Sequence, residues 1–254
     1  MAPGPDSPAP DRAVAAKPEA AKPVAQGARA ARWGDLRLRV VSALVLAPLA
    51  LAAIWIGGAV FAGLIGVVAL GLGIEWTRLC GSAWGRSRLA GLGWIVLAGV
   101  ALIWLRADPA AGRVNVLFLV LAVWASDVGA YLAGRLIGGP RLAPRLSPGK
   151  TWAGAMGGLA AAAAIGTLVA LVCTAGHDTA ALARAAALGA AVSVLGQGGD
   201  LAESCAKRCF GVKDSGRLIP GHGGLLDRLD AVLAVVPLAA LLAYLLGPGV
   251  VLWG

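Results

Sequence analysis

Apolar residues in this chain come in long, nearly unbroken runs that begin after Arg39 and are separated by short polar segments. An α-helix needs roughly 20 such residues to cross about 30 Å of hydrocarbon. The runs predict spans near 40–56, 58–74, 89–105, 114–134, 151–173, 181–199 and 231–253, and a half-span within 200–215 would make eight. Inside a bilayer every backbone N–H and C=O must be satisfied by the chain itself, so a spanning segment is a helix or part of a closed barrel. The apolar–polar alternation of barrel strands is absent. The expected fold is therefore all-α, a polytopic integral membrane bundle of about seven to eight transmembrane helices. Glycine pairs such as Gly154 and Gly158 fit close helix–helix contacts, because small residues let backbones approach in lipid.

Residues 1–38 break the pattern. They are rich in Ala and Pro, carry scattered charges and contain no apolar stretch. That composition predicts a disordered, basic cytoplasmic tail rather than a secretory signal, leaving 39–254 as a membrane-embedded catalytic domain.

Composition agrees with the runs. Of 254 residues 59% are hydrophobic and 14% charged, where soluble chains carry about a quarter charged. Mean hydropathy is +0.79. The net charge of +9 would suggest nucleic acid in a soluble protein, but here the position of the charges decides otherwise. Of the 22 Lys and Arg, only Arg106, Arg113 and Arg184 lie outside the tail (through Arg39) and the segments 75–88, 135–150 and 200–228. The positive-inside rule puts those segments and the N-terminus in the cytoplasm. The basic balance then points to lipid headgroups and a phosphate-bearing substrate, with no nucleic acid. Cys80, Cys173, Cys205 and Cys209 form no Cys-x-x-Cys pair and read as inert thiols.

Charge concentrates between Gly199 and Asp230, GDLAESCAKRCFGVKDSGRLIPGHGGLLDRLD, directly beside apolar runs. Ionisable groups next to hydrocarbon are expensive and mark functional sites. On a helix continuing from the sixth span, Asp200, Ser204, Lys207 and Arg208 stand at i, i+4, i+7 and i+8 on one face. Hard oxygen donors of this kind suit Mg²⁺, which takes one or two carboxylates and completes its shell with water and phosphates. Lys207 and Arg208 could hold those phosphates, although a solvated helix with i, i+4 pairs has the same spacing. Asp227 and Asp230 open the last span behind His222-Gly223-Gly224. An Asp in a first helical turn is often a cap; two of them, flanking Arg228 after a glycine turn, read as ligands. The glycine amides could line a phosphate.

Upstream, Asp127 interrupts an apolar run, with Tyr131 and Arg135 following at helical spacing. It reads either as one half of an internal ion pair with Arg135 or Arg141, or as a functional carboxylate facing the bundle interior. Gly149-Lys150-Thr151 looks like the end of a P-loop, but position 144 is Pro where that loop needs Gly, and no strand is expected before it. Lys150 remains a candidate phosphate contact.

Residues 204–230 resemble the signature of the phosphatidate cytidylyltransferases, or CDP-diacylglycerol synthases, through Ser204, Lys207-Arg208, Lys213-Asp214, Gly216, Pro220, His222-Gly223-Gly224, Asp227-Arg228 and Asp230. Ala206 stands where that family has a larger apolar residue. Asp127 to Tyr131 is similar to its Asp-x-x-Ala-Tyr element, and Ser147 to Thr151 to its Ser-Pro-Lys-Lys-Thr element, with Gly149 replacing the first Lys. The resemblance implies transfer of CMP from CTP to phosphatidic acid in a bacterial-type cytoplasmic membrane, using Mg²⁺ with room for a second cation, and a homodimer. It implies Asp200, Ser204 and Asp227 as metal ligands, with Asp230 a ligand or the neighbour of one. Lys207, Arg208, His222 and Asp227 become the catalytic candidates. Lys150, Lys213, Asp214, Gly223, Gly224 and Arg228 become substrate contacts, with Asp127 and Ser147 as further candidates. Rival expectations are a CTP-dependent kinase or cytidylyltransferase for another lipid, of polyprenol or phytol type, and a secondary transporter.

Overall fold

The computed structural model describes residues 42, 44–81, 85–173, 178–212, 215–216, 218 and 223–254. The tail 1–38 and the site candidates Lys213, Asp214 and His222 lie outside the described residues.

Each predicted span has become a helix. In chain order these are α1 (Leu44–Ile56), α2 (Gly58–Cys80), α3 (Arg86–Ala107), α4 (Gly112–Leu136), α5 (Trp152–Cys173), α6 (Thr179–Cys209) and α7 (Leu226–Leu246). Among the described residues, six of them, α2 to α7, are long and apolar enough to cross a membrane. The bundle is inside-out by soluble standards. Leu136 and Val172 are 81% and 78% exposed, as side chains facing lipid should be. Its interior holds Phe118, Val116, Ala122, Ala162, Ala185 and Val235.

Small residues set how closely the helices sit. A Cβ on Gly154 would lie 2.9 Å from the Ala130 carbonyl oxygen, and one on Gly158 would lie 2.8 Å from that of Ser126. The predicted glycine pair thus packs α5 directly against α4. On α6, a Cβ at Gly199 would come within 2.7 Å of the Asp230 carbonyl oxygen. That contact brings the next residue, Asp200, up to the polar start of α7. Helix α7 carries Pro237 in its interior. Proline lacks the N–H that would reach the carbonyl four residues back, and that carbonyl, of Leu233, accepts instead from the Trp94 indole of α3 at 3.1 Å.

Three expectations need correction. The all-α bundle stands, but contrary to the expectation of no strand before Gly149-Lys150-Thr151, a short hairpin lies between α4 and α5, in which β1 (Arg141–Ala143) pairs antiparallel with β2 (Ser147–Thr151). A strand therefore does precede Gly149-Lys150-Thr151, yet those residues lie in β2 and not in a phosphate-wrapping loop. Secondly, the described residues of 200–215 form no separate half-span. Helix α6 runs unbroken to Cys209, about 46 Å for its 31 residues, and so projects beyond the hydrocarbon. It stops at Gly211, whose φ of 71° suits glycine, with the Val212 N–H turned back onto the Lys207 carbonyl at 2.9 Å. Thirdly, the last span starts and ends earlier than 231–253. Beyond Leu246 the chain folds back so that Trp253 stacks on Phe118, ring centroids 4.9 Å apart.

Candidate active site

The C-terminal parts of α4 and α6 and the N-terminal ends of α5 and α7 meet at one end of the bundle, under the hairpin. Lys150 of β2 donates to Asp200 Oδ2 on α6 at 2.6 Å. Thr151, the next residue, accepts the Gly154 N–H at 3.1 Å, so it caps α5 while fixing where Lys150 points. Between α4, α5 and α6 these residues enclose a cavity of about 380 Å³, lined by Asp127, Tyr131, Arg135, Lys150, Gln197 and Asp200 among others. Asp127 opens into it and, among the described residues, makes no ion pair with Arg135 or Arg141. Asp127 is exposed and lines the open cavity wall. Gln197 is held by Ser193 Oγ at 2.9 Å and the Ala155 carbonyl at 3.2 Å, and Ser193 in turn bonds Ser126 at 2.7 Å. This buried polar seam forms the floor of the cavity.

A second group lies between α6 and α7. Lys207 Nζ donates to Asp227 Oδ1 at 2.6 Å and to Glu203 Oε2 at 3.1 Å. The other oxygen of Asp227 accepts from the Gly224 N–H at 3.3 Å and, at a longer 3.5 Å, from the Ser215 N–H. Gly224 is required here, since a Cβ would overlap Ser215 Oγ and sit 2.9 Å from Asp227 Oδ2. In this structure the Gly224 amide donates to the Asp227 carboxylate. Glu203 and Asp230 approach to hydrogen-bond range, and Asp200 lies within electrostatic reach of both Asp230 and Asp127. The two groups therefore form one continuous field of carboxylates.

Not every candidate joins it. Ser204 has no hydrogen-bond partner among the described residues, and Ser147 sits in β2 opposite Ala143, away from the cavity lining. Arg208 is exposed. Arg228 is exposed too, within electrostatic reach of Asp127. Gly223, with φ 83°, makes the turn into Gly224.

Among the described residues, no three His, Cys, Asp or Glu side chains close into a ready-made metal cage. The donor set nevertheless fits a hard cation. Mg²⁺ requires only one or two carboxylates, and Glu203 Oε1 is buried without a hydrogen-bond partner. Two carboxyls as close as Glu203 and Asp230 need a proton or a cation between them. Lys207 already supplies one positive charge to Glu203 and Asp227, where a metal would be held by the same oxygens.

Residues 91–246 match the cytidylyltransferase family, more than half of the chain. The chain belongs to that family. It is 38% identical over 262 residues to a phosphatidate cytidylyltransferase of Brucella suis, covering 84% of this chain and 93% of the relative. To a phosphatidate cytidylyltransferase of Pseudomonas aeruginosa it is 36% identical over 273 residues, covering 84% and 99%. To one of Haemophilus influenzae it is 45% identical over 139 residues, covering 51% and 46%.

In this cytidylyltransferase, three residues that sequence reasoning passed over, Glu203, Gln197 and Glu75, and a fourth, Thr151, quoted only within a motif, make polar contacts at this end of the bundle. Glu203 stood one residue before Ser204, and its spacing four residues before Lys207 was a usable signal for a helix pair. Gln197 and Thr151 gave only the weaker sign of polar groups at span ends. Glu75, in α2, was the one acidic residue of an otherwise apolar run and lies N-terminal to the matched region.

Proposed function

We propose that the chain transfers CMP from CTP to phosphatidic acid, giving CDP-diacylglycerol and pyrophosphate for phospholipid biosynthesis. One arrangement carries this reading: a polar cavity and a field of carboxylates and ammonium groups sit side by side at one end of a bundle whose outer surface is apolar. A water-soluble nucleotide can enter such a site from solution while the acyl tails of a lipid stay in the bilayer. The Lys and Arg distribution supports a cytoplasmic N-terminus and a cytoplasmic site.

The chemistry needs little from the protein beyond positioning and charge. The phosphate of phosphatidic acid is largely ionised near pH 7, since the second pKa of a phosphomonoester is about 6. It is already the nucleophile, and no side chain must remove a proton. Its oxygen attacks the α-phosphorus of CTP, the bond to the β-phosphate oxygen breaks, and pyrophosphate leaves with that electron pair. The barrier is the approach of two polyanions. Lys150 and Arg135, facing the cavity, and the exposed Arg208 and Arg228 supply positive charge to them. Lys207 holds Asp227 and Glu203 in register, and Gln197 offers a fixed polar group on the cavity floor. Asp200, Asp227 and Glu203, with Asp230 alongside, would hold Mg²⁺. When bound, the cation lowers the charge on the triphosphate and polarises its phosphorus. Pairing of two chains stands on the family resemblance, and crosslinking in native membranes tests it.

The deciding experiment measures pyrophosphate release by the purified protein in detergent, given CTP and Mg²⁺ with and without phosphatidic acid. The expected result is release that requires the lipid and stops with EDTA. Release with a different lipid acceptor alone would move the assignment to another CTP-dependent lipid enzyme. Folded protein without any CTP turnover would point to transport.

A further inference from the structure

Glu75 is a carboxylate only 1% exposed, set in the apolar helix α2. A buried carboxylate is costly unless its oxygens are hydrogen-bonded. One of them is: Oε2 accepts the Leu226 N–H at 2.8 Å. Leu226 is the first residue of α7, and the residue before it, Leu225, provides no side-chain cap. The helix that carries Asp227 and Asp230 is thus capped from another helix, by a residue 151 positions earlier. Oε1 has no hydrogen-bond partner and is aimed at Gly216, where a Cβ would lie 2.5 Å from it. A Cβ at 216 would force this carboxylate to shift, so Glu75 gives a physical reason for a small residue at that position of the signature.

The two backbone segments that Glu75 touches are the ones that hold Asp227. Ser215 adjoins Gly216, and Gly224 lies two residues before Leu226; their N–H groups are the donors to Asp227 Oδ2. We propose that Glu75 is a positioning residue for Asp227, tying the turn before α7 to α2 so that the Asp227 carboxylate stays in the orientation the transfer reaction uses. It does so without touching substrate. The inference rests on the proposed reaction for its kinetic readout only.

The test uses full-length protein in detergent as wild type, Glu75→Gln and Glu75→Ala. Hydrogen exchange is followed at the amides of the first turn of α7, and kcat and KM are measured from pyrophosphate release. Gln keeps a carbonyl oxygen for the Leu226 N–H, whereas Ala removes it. The expected outcome for Glu75→Ala is exchange at Leu226 faster by about tenfold, the size of a lost cap. Its kcat should fall about a hundredfold, as misplaced catalytic groups do, with KM for phosphatidic acid unchanged. Glu75→Gln should restore both readouts most of the way to wild type. Wild-type exchange at Leu226 in Glu75→Ala, or a Gln variant as impaired as the Ala variant, overturns the proposal. Should Glu75→Ala fail to fold, Glu75→Gln decides by whether Leu226 stays protected. If wild type turns over no CTP, the reaction assignment fails, and the exchange data still decide the role of Glu75.

Discussion

The two ends of the bundle use the same kinds of side chain in opposite ways. At the end away from the site, polar groups are matched to backbone. Arg106 donates to the Ile54 carbonyl at 2.6 Å and Arg184 to that of Trp253 at 2.9 Å. Asn115 gives its amide to the Val250 carbonyl and takes the Leu252 N–H. Asp108 accepts the N–H groups of Ala110, Ala111 and Gly249, and these hydrogen bonds hold its carboxyl below the usual carboxylate range. At the site end, charges are matched to each other, through Lys150 with Asp200 and Lys207 with Glu203 and Asp227. Glu203, Glu75 and Ser215 each keep a buried oxygen without a partner there. Backbone partners cannot leave, so the first arrangement only fastens helix ends and the C-terminal segment. Side-chain pairs can be exchanged for a ligand. The difference separates structural polarity from reactive polarity better than residue type does.

Substitutions at the two ends should therefore fail in different ways. The largest effect is expected for Asp227→Asn, which should lower turnover by about a thousandfold, the upper range for one electrostatic group in an active site. Its melting temperature in detergent should stay close to wild type; near-normal activity would remove Asp227 from the site. Lys150→Ala, which leaves Asp200 without its 2.6 Å partner, is expected to cost about a hundredfold in kcat/KM, read in the same assay. At the far end, Asn115→Ala should do the reverse. It strands the Val250 carbonyl and the Leu252 N–H, lowering stability by about 1–3 kcal/mol while leaving the turnover of folded protein unchanged. Thermal unfolding and specific activity together check this, and a loss of activity without a loss of stability would erase the distinction between the ends. Removal of residues 1–38 is expected to have the smallest effect, with specific activity in detergent retained.

Hydropathy made the helices legible because each span must be apolar over its whole length, whatever its neighbours do. Ions were legible for the related reason that Asp127 or Asp200 has no business beside hydrocarbon unless used. What escaped depended on partners distant in sequence. Glu75 reads as a stray charge until Leu226 is seen against it. Glu203 reads as an ordinary helix-surface residue until α7 brings Asp230 and Lys207 around it. The hairpin escaped because Pro144 and Pro148 argue against strands, and because three- and five-residue strands leave almost no period to detect. Ser204 and Ser147 complete the motif on paper, and neither makes a side-chain hydrogen bond among the described residues.

Pro237 leads to a different kind of conclusion. Because its ring removes one rung from α7, the Leu233 carbonyl has no donor within its own helix, and there is no water in the bilayer core to replace it. The Trp94 indole supplies that rung from α3. Helix α3 is synthesised long before α7, so the receptor is already in the membrane when the incomplete helix arrives. The indole and the proline thus tie the helix that carries Asp227 to one position against α3.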